Sequence, residues 1–213
     1  MILRAAFALA LALPTTSTAE ELPRVLLLGD SAYGGVSGAV GKELKGGAVV
    51  VTKHPGDTSS ALADLDDLLG KDDWAVIHFN FGLADLHYKD PRTKAVRAMS
   101  KSAGGVRVTS PERYEKNLRE LTRRLKATGA KLVWASTTPI EGGSDDLFDA
   151  GSEVEYNAVA VRVMKEFGVP VNDLHGFVRE QRAGKQARNP FDFKGIALHT
   201  RIAGSIRRAL PEN

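Results

Sequence analysis

Cysteine is absent from all 213 residues, so no disulfide can support the fold and the chain must be held by its apolar core. Strong charge of one sign is also absent. The 29 basic and 26 acidic residues leave a formal charge of +3, spread along the chain, which is only weak support for an anionic partner. There is no arginine run and no interleaving of aromatic with basic residues, so nothing points to nucleic acid. No His, Asp and Glu residues stand at metal-ligand spacing. Gly34-Gly35 and Gly104-Gly105 lack the strand–turn–helix setting of a phosphate loop. No cofactor is implied. Long hydrophobic runs are missing too. The longest, Ala5 to Leu13 after Arg4, falls short of the ~20 residues that a membrane span needs. Followed by Pro14 and small residues including Ser17 and Ala19, it reads as a signal peptide over 1–19, cleaved before Glu20. The protein is therefore expected to be secreted or periplasmic. Residues 20–213 show no repeat or linker and form one domain long enough to bury a core.

What the chain does have is a series of short apolar runs, each ending in polar residues. The first is Val25 to Leu28, which runs into Gly29-Asp30-Ser31. A continuous apolar run of this length reads as a strand buried on both faces. Gly29 allows a tight exit from it. Ser31 then emerges at the strand's carboxyl end, near a helix amino terminus that favours developing negative charge. It is a candidate nucleophile. Alternatively, Asp30 and Ser31 cap the following helix.

The same pattern repeats along the chain. Val36 to Leu44 can form a short helix, Ala48 to Thr52 a second strand, and Leu62, Leu65, Leu68 and Leu69 the stripe of a helix capped by Asp57 or Thr58 and ended by Gly70. Trp74 to Phe79 is a third strand. From Leu86 to Thr109 no periodicity holds, as expected for a long loop or insertion. Ser110-Pro111 opens a helix that ends at Gly129, and Lys131 to Ala135 is a fourth strand. Ser152 and Glu155 make a capping-box pattern for a helix to about Phe167. Val169 to Val171 is a fifth strand, Leu174 starts a short helix, and Ile202 to Leu210 forms a last one with Thr200 as a possible cap. Alternating strands and helices predict an α/β fold, a parallel sheet of about five strands covered by helices on both faces. Ser31, Gly56, Asn80, Thr137 and Asn172 all follow apolar strands, so they should share the carboxyl edge where such sheets bind ligands.

A serine hydrolase needs a nucleophile, a base, a group that orients the base, and donors to an oxyanion. Ser31 can supply the first. Five histidines can supply the second. His78 lies inside a strand and reads as a core residue. His54, His87 and His175 sit near strand ends, and His199 precedes the last helix. Asn157 reads as a structural hydrogen-bond partner, Thr137 to Pro139 as a turn, and Asp85 as a cap or loop tether.

These motifs, taken in order, resemble the SGNH/GDSL hydrolases, and in particular their exported bacterial branch. The resemblance rests on Gly29-Asp30-Ser31, Gly56, Gly82-Leu83-Ala84-Asp85 after the third strand, and His199 with Gly204 five residues on, and runs from Arg24 to about Leu210. It implies a three-layer α/β/α, flavodoxin-like fold and a serine esterase acting on a small-molecule or carbohydrate ester. Ser31 would be nucleophile and His199 base, with the amides of Ser31 and Gly56 as oxyanion donors. The chain departs from the family pattern twice. Ala84 stands where the family has an asparagine, leaving Asn80 as the candidate substitute donor. Ile196 stands where the acid three positions before the histidine is expected, leaving Asp192 or a backbone carbonyl to orient the base. The alternative is an SGNH-fold protein that binds a glycan or other ligand at the same edge without turnover. A further one is a flavodoxin-like binding module whose pocket is the 86–109 loop.

Overall fold

The computed structural model describes residues 21–30, 33–93, 97–141, 146–185, 187 and 189–211. The expected leader over 1–19 and Ser31 lie outside the described residues. In chain order the elements are β1 (Arg24–Gly29), α1 (Ser37–Glu43), β2 (Val49–Lys53), α2 (Thr58–Ala63), α3 (Leu65–Leu69), β3 (Trp74–Asn80), α4 (Leu83–Leu86), β4 (Tyr88–Lys89), β5 (Val106–Arg107), α5 (Pro111–Ala127), β6 (Lys131–Ala135), α6 (Glu153–Phe167), β7 (Val171–Asn172), α7 (Leu174–Arg182) and α8 (Leu198–Ala209).

Five strands pair in parallel in the order β2-β1-β3-β6-β7. Successive strand residues face opposite sides, so the run Val25 to Leu28 serves two cores at once. Leu26 and Leu28, with Ile77, Phe79 and Trp134, pack beneath Leu118, Leu121 and Leu125 of α5 and Val159 and Val163 of α6. Val25 and Leu27, with Val76 and Ala135, pack against Val40 of α1, Val178 of α7, and Ile202 and Ile206 of α8. Both faces of the sheet are therefore closed by apolar side chains, each leucine so buried contributing about 1.5–3 kcal/mol.

Several local expectations need correction. The helix expected through Leu62 to Leu69 is two helices, broken at Asp64, which ends α2 and begins α3. The Ser152–Glu155 capping box does not form. Ser152 has helical backbone angles and its hydroxyl makes no capping bond. The turn before α6 already supplies acceptors, since Ser152 N donates to Asp149 O and Val154 N to Gly151 O. The last helix starts at Leu198, whose buried side chain draws the first turn into the core. Thr200 is thus inside α8 and caps nothing. The aperiodic 86–109 segment contains a small hairpin, with Tyr88 opposite Arg107 and Lys89 opposite Val106. Its anchor is Asp149, which accepts from Tyr88 Oη (2.5 Å), Lys101 Nζ (2.8 Å) and Arg107 Nη2 (2.7 Å). Among the described residues no helix is long and apolar enough to cross a membrane.

Candidate active site at the carboxyl edge

The exit of β1 is built by close approach to β3. Asp30 N donates to Asn80 O at 3.3 Å, and a Cβ on Gly29 would lie 2.2 Å from that same carbonyl oxygen. The Asp30 carboxylate is fully buried, and its Oδ2 accepts from Gly82 N (3.1 Å) and Ala84 N (3.4 Å) at the amino end of α4. Asp30 therefore fastens the exit of β1 to the exit of β3. It does not cap α1, which has no side-chain cap. Ser31 is the next residue in the chain and lies outside the described residues.

The exit of β2 is fastened in the same way. Gly56 is half-buried with φ +89°, a left-handed conformation that favours glycine. Asp57 follows and caps α2, accepting from Ser59 N and Ser60 N. Asp85, the last residue of the Gly82–Asp85 motif, is fully buried and accepts from Thr58 N at 3.2 Å and Thr58 Oγ1 at 2.6 Å. Asn117 Nδ2 donates to Thr58 Oγ1 at 3.0 Å. Burial pushes the Asp85 carboxyl up to about 7; the hydrogen bonds from Thr58 oppose this but are outweighed. Thus Gly56 sits beside a turn clamped by Asp85.

Asn80 ends β3 with its side chain buried. Its Nδ2 donates to Ala135 O at 2.8 Å, extending the β3–β6 ladder by one side-chain bond. Asn80 Oδ1 has no partner among the described residues. The amide expected as an oxyanion donor is thus committed to β6. Ala84 offers only its backbone N–H, already directed to Asp30. His78 is fully buried in the sheet, as its place within a strand implies, and burial lowers its imidazole to about 3, so it is neutral.

His199 occupies the first turn of α8 with its side chain 38% exposed. Its Nε2 lies 3.5 Å from Glu43 Oε1 at the end of α1. The same oxygen accepts from Thr200 Oγ1 at 2.6 Å, and Arg207 Nη2 donates to Glu43 O at 2.6 Å. The carboxylate paired with His199 is therefore Glu43, which no local pattern in the sequence singles out. Asp192 Oδ1 accepts from Lys194 N at 3.4 Å, and its carbonyl accepts from Arg182 Nη2 at 3.1 Å. Ile196 packs against the α1–α7–α8 core, so an acid at that position would have to be buried.

A second histidine–carboxylate pair stands at the β6–β7 end of the same edge. His175 Nε2 is 3.1 Å from Oε1 of the buried Glu153. Beside it Ser136 Oγ donates to Asp173 Oδ1 at 3.0 Å. A cavity of about 350 Å³ there is lined by Ser136, Asn157, His175, Val154, Val161 and Val171. Asn157 is the structural partner that its position suggests, accepting from Thr137 N and donating to Thr137 O. Among the described residues no three His, Asp or Glu side chains are placed to hold a metal ion.

The same architecture recurs in solved esterase structures. An acetyl xylan esterase, AlAXEase, superposes with a TM-score of 0.65 at 14% identity, over 88% of this chain and 100% of that one. The lipase/acylhydrolase from Enterococcus faecalis gives 0.70 at 15%, over 90% and 99%. Axe2, an acetylxylan esterase from Geobacillus stearothermophilus, gives 0.63 at 16%, over 90% and 95%. At such identities the likeness is one of fold. No curated protein matches the chain in sequence. A sequence profile does, over residues 19–204, nearly the whole length and every strand exit described above, and it places the chain in the GDSL-like lipase/acylhydrolase family.

Proposed function

We propose that the protein is an exported serine esterase that removes a small acyl group from an ester, with an acylated carbohydrate as the preferred substrate class. The observation that carries this reading is the double clamp at the carboxyl edge. Two buried carboxylates, Asp30 and Asp85, use their hydrogen bonds to fix the exits of β1 and β2, where Ser31 and Gly56 stand in the chain. Burying carboxylates is unfavourable, and that penalty is understandable where turn geometry must be held for chemistry. Two of the similar structures are acetyl xylan esterases, and the substrate class is taken from them. Export is proposed from Arg4, the apolar run to Leu13, and Ser17 and Ala19.

In this mechanism Ser31 Oγ attacks the ester carbonyl while His199 takes its proton. The N–H groups of Ser31 and Gly56 stabilise the oxyanion. His199 then protonates the departing alcohol, and water, deprotonated by His199, releases the acid from the acyl-enzyme. Two demands follow. One ring nitrogen of His199 has to be free to take the Ser31 proton, and the partial exposure of the side chain leaves room for this. The site also works without a side-chain oxyanion donor at residue 84, a loss typically worth about 100- to 1000-fold in rate.

The pairing of His199 with Glu43 and of Asn80 with Ala135 O favours a second reading, a family member that binds a glycan at this edge without turnover. Hydrolysis of p-nitrophenyl acetate by wild type, Ser31→Ala and His199→Ala separates the two. Loss of turnover in both folded variants is expected. Wild-type turnover no higher than that of Ser31→Ala would overturn the esterase reading for such esters and leave the binding one.

A further inference from the structure

Four buried polar residues outside the candidate site form one continuous chain through the α1–α7–α8 side of the core. Tyr33 Oη and His78 Nδ1 are 2.6 Å apart, His78 Nε2 and Asn172 Nδ2 3.1 Å, and Asn172 Nδ2 and Ser205 Oγ 3.1 Å. Ser205 Oγ in turn donates to Ile202 O at 2.7 Å. None of the four is more than 5% exposed.

Proton positions follow from this geometry. The Ser205 hydroxyl gives its one proton to Ile202 O, so toward Asn172 it accepts, and the nitrogen of the amide must face it. That nitrogen also donates to His78 Nε2, which leaves the ring proton on Nδ1, donated to Tyr33 Oη. The neutral imidazole that burial enforces suits a ring accepting at one nitrogen and donating at the other.

The elements linked are informative. Tyr33 is two residues after Ser31, and its ring packs under Gly29, where an added Cβ would meet Cε2 at 3.1 Å. His78 belongs to β3 and Asn172 to β7. Ser205 lies on α8, six residues after His199. Apolar side chains could fill this space as well, whereas a connected polar chain accepts only one relative placement of its ends.

We propose that Tyr33, His78, Asn172 and Ser205 are a positioning relay that holds the segment at Tyr33, two residues after Ser31 in the chain, against α8, and that turnover by Ser31 and His199 depends on this coupling. The catalytic part of this statement rests on the esterase reading; the mechanical coupling does not.

The test uses Ser205→Ala and Tyr33→Phe, with Thr200→Val as a control that breaks an α8–α1 contact outside the relay. Amide hydrogen exchange over 29–37 is followed in each, and p-nitrophenyl acetate kinetics are measured beside it. Ser205→Ala is expected to speed exchange over 29–37 although it lies on α8, and Tyr33→Phe to speed exchange over 198–205; Thr200→Val should leave 29–37 unchanged. Each relay variant should lower kcat by about ten- to a hundredfold with KM little altered, as expected for misplaced rather than missing groups. The double variant should be no worse than the worse single one. Unchanged exchange over 29–37 in Ser205→Ala overturns the coupling. Should Ser205→Ala not fold, Tyr33→Phe, which keeps the ring, tests the coupling from the other end, and unchanged exchange over 198–205 overturns it. Altered exchange with kcat unchanged overturns the catalytic role. Altered exchange without wild-type turnover upholds the coupling and removes the esterase reading instead.

Discussion

Gly29 is a glycine because of what lies over it. Its Cα faces the Asn80 carbonyl, and a methyl group there would meet backbone at 2.2 Å and 3.1 Å, as well as the Tyr33 ring at 3.1 Å. No rotation of a side chain relieves a clash with a carbonyl that Asp30 N is itself bonded to. Gly35, six residues on, is exposed with nothing within 4 Å of the same added atom. Gly29→Ala is therefore expected to cost about 1–3 kcal/mol in a urea titration, and Gly35→Ala about 0.5 kcal/mol or less. Equal losses at the two sites would show that backbone freedom, and not crowding, selects glycine at residue 29. Asp30 illustrates a residue whose partners decide its meaning. Next to a candidate nucleophile it reads as a helix cap, yet it serves the amino end of α4, two strand exits away in sequence but adjacent in the sheet.

Among the elements, the strands and long helices were legible because their residues carry the period. β1, β3 and β6 are largely apolar runs buried on both faces, and α5 has its stripe, its cap at Ser110 and Pro111 at its first position. The β4–β5 hairpin was not, since two-residue strands are too short to show any period. Asp149 lies far from the hairpin in sequence, and its role there exists only once the segment from Asp146 to Asp149 is brought against it. For the same reason the Glu43–His199 pair, which joins α1 to α8, left no trace, whereas the Gly82–Asp85 motif and Gly56 could be placed because each comes within three residues of a strand's end. The hairpin's dependence on one carboxylate can be checked. Hydrogen bonds from Lys101 and Tyr88 hold the Asp149 carboxyl down at about 2, so it is ionised throughout the neutral range. Asp149→Ala should speed hydrogen exchange at the amides of Tyr88, Met99 and Val108 while leaving those of β1 and β3 protected. Exchange unchanged at those three would mean that the ladder bonds alone hold the hairpin.

For the whole molecule two buried titratable groups, His78 within β3 and Asp85 shortly after it, pull stability in opposite directions with pH. His78 falls to about 3 from its ordinary 6.5, so between these values the unfolded chain binds more protons, and stability is present above about 6.5 and lost as pH falls toward 3. Asp85 rises to about 7 from 3.8, so there the folded chain holds the extra proton, and stability is present below about 4 and lost as pH rises to 7. Asp90 and Asp149, both lowered to about 2, act only below about pH 4. Between pH 4 and 6.5 the two buried groups therefore offset each other, each with a limiting slope of about 1.4 kcal/mol per pH unit. Urea unfolding at pH 4, 5.5 and 7 should give a flatter profile for wild type than for either single variant. Asp85→Asn should gain stability as pH rises through this window, because the His78 slope is left, with that of His87, which burial also lowers, acting in the same direction; His78→Gln should lose it. If both variants kept the wild-type profile, neither group would change its protonation between the folded and unfolded chain, and the seal that the two core layers place over β3 would be looser than the packing implies.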